Sequence, residues 1–148
     1  MQSRAIRVAW KVYFVYGIYL TVVGVMTLAG PKLMAEGQYL ALTGGELSSY
    51  LAESAAAAGL LLLTFQAFAA MLVLVGVFKM FIALFPFRKG EKWSWWVLLV
   101  IGVIAYGFMV PYSFIIGSMM TIAVTVIALI LWLIALLVPA RAMLSAKQ

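Results

Sequence analysis

FRKGEKWSWW, residues 87–96, sets four charges against three tryptophans. Long apolar runs lie on either side of it. Charges and indoles gather in this way where a chain turns at a membrane surface, because cations meet lipid phosphates and indoles sit at the headgroup level. The rest of the composition agrees. Of 148 residues, 68% are hydrophobic and only 9% are charged. A soluble domain carries about 25% charged residues, so this chain is expected to be a multi-pass protein of the cell membrane. It has no linker-like or repeated segment and reads as one domain.

Working outward from the hairpin, four runs are long and apolar enough to cross a bilayer as helices. They cover about residues 12–29, 55–80, 93–110 and 119–138, and the second run continues apolar to residue 85. None shows the period-two alternation of a β-barrel strand, and lipid offers no partner to an open strand edge. The first run follows the basic residues Arg4, Arg7 and Lys11. Thr27-Leu28-Ala29 makes a poor cleavage site, so the run is expected to remain as a helix rather than leave as a signal peptide.

The charges give orientation. Arg4, Arg7, Lys11, Lys79, Arg88, Lys89, Lys92, Arg141 and Lys147 fall on one side of the four runs, and Lys32 alone falls on the other. The positive-inside rule then places both termini in the cytoplasm. The expected fold is an all-α integral membrane protein, an antiparallel four-helix transmembrane bundle. Residues 86–92 form its cytoplasmic hairpin and residues 30–53 its outer loop. The net charge of +6 thus reports orientation and does not point to nucleic acid.

Within the hairpin, Pro86 is expected to end one helix, Gly90 to allow the turn, and Glu91 to start the next. Arg88, Lys89 and Lys92 are expected to reach lipid phosphates. Trp93 and Trp96 share a helix face and Trp95 points elsewhere, so the three suit interfacial anchoring better than a ligand cage. Lys79 lies nine residues before Arg88, about 13 Å along a helix. It is expected to snorkel to the same headgroups, or else the second span ends near it and residues 80–87 run along the interface. In the outer loop, Thr43-Gly44-Gly45-Glu46 has the spacing of a capping box. A helix is expected to begin near Gly44, and residues 31–42 to lie on the membrane or cap the bundle.

Candidate chemistry is sparse. The chain has no cysteine and no histidine, which removes thiol catalysis, thiolate metal sites and imidazole bases. No acid lies within the inner half of a span. No catalytic residue and no metal site is therefore assigned, and methionines toward the outer side read as fillers of irregular gaps. Small and hydroxyl residues mark packed faces in membranes. Ser118, Thr121, Thr125, Ala128, Trp132 and Ala135 form such a stripe in the fourth span. Gly17, Thr21 and Gly24 match it in the first, and Gly59, Gln66, Ala70 and Gly76 in the second. Thr21, Gln66, Tyr106 and Thr125 are the candidate ligand-binding residues, placed in the middle to outer half. Interhelical hydrogen bonding is the plainer reading of the same four.

The hairpin PFRKGEKWSWWVLLVIG, residues 86–102, together with the length and the four spans, resembles a broad set of small prokaryotic four-helix membrane proteins, DoxX-like ones among them. The similarity is residue-specific only around the hairpin. DoxX-like members are linked to quinone-associated redox complexes, so the resemblance implies a quinone-linked setting. It supplies no functional residue to carry over. The expected role is non-enzymatic, an accessory subunit of a membrane complex, whether with other subunits or as a homo-oligomer, or a lipid-associated bundle. The alternative is binding or transport of a small amphiphile such as a quinone or lipid. No other cofactor is expected.

Overall fold

The computed structural model describes residues 4–145, apart from the side chains of Glu53, Ala55 and Ser145. Lys147, counted in the charge pattern, and the side chain of Glu53 lie outside the described residues. Every regular element is helical. They are α1 (Arg4–Ala29), α2 (Pro31–Thr43), α3 (Leu47–Glu53), α4 (Ala55–Ile82), a π-helical turn (Ala83–Phe87), α5 (Lys92–Ile116) and α6 (Met119–Ser145). Four stretches are long and apolar enough to cross a membrane: α1, α4 with the π turn, α5 and α6.

The helices outrun the expected spans at three of the four prolines. Pro86 lies inside the π turn and the helix continues through Phe87. The wider π geometry absorbs a residue that cannot donate a backbone hydrogen bond. The second span therefore neither ends at Lys79 nor turns along the interface at Met80. Pro111 sits inside α5, and Pro139 inside α6. In apolar surroundings a helix is the cheapest way to satisfy the remaining backbone groups, so proline is tolerated there. As a result the connection between α5 and α6 shrinks to two residues, Gly117 in the left-handed region (φ 70°) and Ser118.

The hairpin turns where expected, with Gly90 at φ 82°. Glu91 precedes α5, and its carbonyl accepts from the Ser94 amide at 3.1 Å and the Ser94 hydroxyl at 2.5 Å. Between α2 and α3 the expected capping box does not form. Gly44, at φ 71°, ends α2. Thr43 instead donates its hydroxyl back to the Tyr39 carbonyl at 2.8 Å. Helix α3 then begins at Leu47 and breaks at Ser54, which caps α4 by accepting from the Ala57 amide at 3.4 Å.

α1 lies at the centre of the packing, against α4 and α6, and α5 packs on α6. The α1–α4 contact is made by glycine. A Cβ on Gly76 would lie 2.7 Å from the Gly17 carbonyl oxygen and the Thr21 amide nitrogen, and one on Gly24 would lie 2.9 Å from the Ala69 carbonyl oxygen. Only hydrogens fit between the two backbones. The α4 face is thus set by Ala58, Ala69 and Gly76, which are buried, whereas Ala70 is exposed. Helix α2 lies against α4 and α5, tied to α5 by the Tyr112 hydroxyl, which donates to the Gln38 carboxamide oxygen at 2.7 Å.

The stripe on α6 faces inward from Thr125 onward. Thr125, Ala128, Trp132 and Ala135 are buried, while Ile127 and Ile130 are exposed. Leucine at Ala128 should therefore overpack the interior and cost about 1–3 kcal/mol. Leucine at Ile130 should be nearly silent. Reversible unfolding in mixed detergent micelles ranks the two variants.

Candidate functional site

The polar interior is built from helix midpoints. Tyr16 lies twelve residues, about 18 Å, from the start of α1, and Trp132 thirteen, about 20 Å, from the start of α6. Tyr106 lies near the middle of α5. At this level the Tyr16 and Tyr106 hydroxyls hydrogen-bond to each other. The Tyr106 ring lies 5.2 Å from the Trp132 ring, centroid to centroid. One turn nearer the hairpin, Tyr13 packs edge-on against Phe87 at 5.4 Å.

Lys79 enters this aromatic group from α4. It is only 2% exposed, and its Nζ lies 4.0 Å from the centre of the Tyr16 ring. A cation over an aromatic face gains up to about 2 kcal/mol when desolvated. That offsets part of the cost of an interior charge, which is about 2.5–3.5 kcal/mol at a helix centre. The expected place of Lys79 among the headgroup anchors is therefore corrected. The structure turns it inward because the α1 face that meets α4 presents an aromatic ring at that level, which the sequence of α4 alone does not reveal.

Trp132 and one further indole, Trp95, close the α5–α6 contact reciprocally. Trp95 Nε1 donates to the Leu136 carbonyl at 2.9 Å, and Trp132 Nε1 donates to the Leu98 carbonyl at 3.1 Å. Trp95 is therefore a packing residue, 7% exposed, whereas Trp93 and Trp96 are 53% and 52% exposed on the outer face of α5. Trp93 donates to the Glu91 carboxylate at 2.6 Å. Arg88 and Lys89 are exposed and Lys92 is half-buried, and the Arg88 guanidinium stacks 5.2 Å from the Trp10 ring centre.

The four candidate ligand residues do not converge. Tyr106 belongs to the interior cluster. Thr21 donates to the Gly17 carbonyl of its own helix at 2.9 Å. Thr125 is buried on α6, and Gln66 is exposed on the outward side of α4. Among the described residues no hydrogen bond joins any two of the four. The residues that sequence reasoning missed are Tyr13 and Tyr16. A signal for them exists, since they lie three apart on the Gly17 face of the first span and Lys79 has no acid to meet.

Tyr13 is 0% exposed, and its hydroxyl has no hydrogen-bond partner. A buried hydroxyl left unpaired costs about 1–3 kcal/mol. Tyr13→Phe should therefore raise stability by about 1 kcal/mol. Tyr106→Phe, which leaves the Tyr16 hydroxyl without its partner, should lower it by a similar amount. Unfolding of the two variants in the same micelles checks the opposite signs. A loss of stability in Tyr13→Phe would show that its hydroxyl holds a bound partner in the membrane.

Comparison with known protein families, curated proteins and solved structures finds no match to this chain.

Proposed function

We propose that this chain is a non-enzymatic accessory subunit of a complex in the cell membrane. In this reading it is an antiparallel four-helix bundle with both termini in the cytoplasm. The packing supports the antiparallel order. Gly17 lies against Gly76 and Met80, and Gly24 against Ala69 and Val73, so the contact partners descend in α4 as they ascend in α1. Trp95 with Leu136 and Trp132 with Leu98 do the same for α5 and α6. The basic residues at the α1 start and in the hairpin support the orientation.

The observation that carries the accessory role is Gln66. Its carboxamide stands on the outward side of α4, eleven residues, about 17 Å, from the start of that helix. The exposed neighbours around it are apolar, among them Leu63, Ala67 and Ala70. A carboxamide facing hydrocarbon leaves donors and acceptors unmet. Small neighbours let another backbone approach, and an amide bonds well across helices. Another subunit or a second copy of this chain satisfies both. Purification in mild detergent should recover a stoichiometric protein partner or a dimer, and Gln66→Leu should release it. A monomer recovered from native membranes with no second chain, unchanged by Gln66→Leu, overturns the reading.

A second reading, a binder of a small amphiphile such as a quinone or lipid, is favoured by Lys79 and the unpartnered Tyr13 hydroxyl. These groups suit a carbonyl or anionic headgroup. Solvent extraction of the purified protein should then yield one such molecule per chain, and Lys79→Met should lose it. The DoxX-like resemblance of the hairpin points to the same chemistry and belongs to this proposal.

A further inference from the structure

One face of α1 has the lengthwise polarity of a phospholipid. Arg4, Arg7 and Lys11 recur three and four residues apart and are all exposed. The same row continues as Val15, Ile18 and Val22, also exposed, with Val15 at 58%. The basic part comes first and the aliphatic part runs inward. From Lys11 to Val22 is about 17 Å along the helix. One leaflet of a hydrocarbon core about 30 Å thick is about 15 Å deep, so the aliphatic row matches the reach of one acyl layer.

This row borders a groove. A cleft of about 220 Å³ lies between α1 and α6, lined by Lys11, Val12, Val15 and Leu131. Its lining surface is apolar throughout: Lys11, at the end nearer the α1 start, contributes its methylene stem and carries its ammonium beyond the cleft, toward Trp10. A second cation is brought to the neighbouring Trp10 from another element. Arg88 stacks 5.2 Å from the Trp10 ring centre, and Lys11 Nζ lies 5.9 Å from the same centre. One indole thus holds two cations, and one of them, Lys11, borders the aliphatic groove.

We infer that the α1–α6 groove is a binding site for an anionic glycerophospholipid. The phosphate sits at Lys11 and Arg88, and one acyl chain lies along Val12, Val15 and Leu131. Charge selects the lipid class, because a basic pocket between transmembrane helices favours anionic headgroups. The groove supplies the specificity that a bare basic surface lacks, since it immobilises the chain beneath the headgroup. The inference rests on the chain crossing a bilayer and needs neither a partner subunit nor the Lys79 cluster.

The full chain, reconstituted with equal phosphatidylglycerol and phosphatidylcholine and then taken into mild detergent, should retain phosphatidylglycerol selectively in native mass spectrometry. Lys11→Gln removes the charge and nearly keeps the side-chain length. It should lower retention about fivefold, the ratio expected for one basic residue at an anionic surface. Val15→Trp fills the groove without changing charge and should lower retention similarly. Lys32→Gln, on α2, should leave retention unchanged. Equal retention of the two lipids by the unaltered protein overturns the site. A loss in Lys11→Gln with none in Val15→Trp reduces the effect to surface charge and overturns the groove. Equal losses in Lys11→Gln and Lys32→Gln do the same for the assignment to α1.

Discussion

Valine at Gly76 will drive α1 and α4 apart and cost about 3 kcal/mol, the upper end of ordinary overpacking. The reason is the identity of the atoms in the way. A Cβ there would meet the Gly17 carbonyl oxygen and the Thr21 amide nitrogen at 2.7 Å. Backbone cannot rotate aside as a side chain can, so the helices must separate along their whole interface. The dispersion attraction between them then weakens, and no hydrophobic gain replaces it, because lipid is as apolar as the helix it would touch. Valine at Gly59 is the matched control. Nothing lies within 4 Å of a Cβ at that position, so this change should be neutral within about 0.5 kcal/mol. Detergent unfolding of the two variants should differ by nearly the full cost. Equal stability would mean that the glycine contact does not hold α1 to α4.

The second large effect is expected at Lys79, and its direction depends on the replacement. Methionine nearly keeps the length and removes the interior charge. It forfeits the contact with Tyr16 and also the cost of burying an ammonium, so Lys79→Met should be stabilising by about 1 kcal/mol. Glutamate places a carboxylate against the negative face of the Tyr16 ring. An uncompensated buried charge costs about 3–5 kcal/mol, and Lys79→Glu should unfold in detergent at correspondingly lower denaturant. A protein that tolerates methionine yet carries lysine is holding the charge for something other than stability. Purified Lys79→Met, assayed for any molecule that copurifies with the unaltered chain, separates a binding role from a packing one.

The four spans are legible in the sequence because hydrocarbon admits so few solutions. A run of about twenty apolar residues has to be a helix. The inward stripe of α6 is legible for a related reason: its small and hydroxyl residues stand out among Ile, Val and Leu. The helix ends are not. Pro86, Pro111 and Pro139 read as stops in water, and the helices run through all three. Of the expected packed face of α4 only Gly76 is buried: Gln66 and Ala70 are exposed, a Cβ at Gly59 would meet nothing within 4 Å, and Ala58 and Ala69 are buried instead. That helix is apolar all round, and only the glycines of α1 select a side. Trp95 and Lys79 show the same limit. Each can be placed on its own helix, but whether an indole or an ammonium turns inward depends on what another helix offers, the Leu136 carbonyl for one and the Tyr16 ring for the other. The expected ligand group fails on this point, since depth along a helix matches Gln66 with Tyr106 and direction separates them. Tyr13 and Tyr16 carry only a faint signal, their spacing of three on the Gly17 face, because an aromatic residue in an apolar run does not by itself name its partner.

The proposed antiparallel, four-span arrangement with both termini in the cytoplasm is directly testable, because the chain has no cysteine. Single cysteines at Ser49 and Lys89, both exposed, place one thiol in the outer segment and one in the hairpin. A membrane-impermeant maleimide applied to intact cells should label Ser49→Cys at once and Lys89→Cys only after the membrane is opened. Labelling of Lys89→Cys from outside, or of both positions from the same side, would contradict the arrangement.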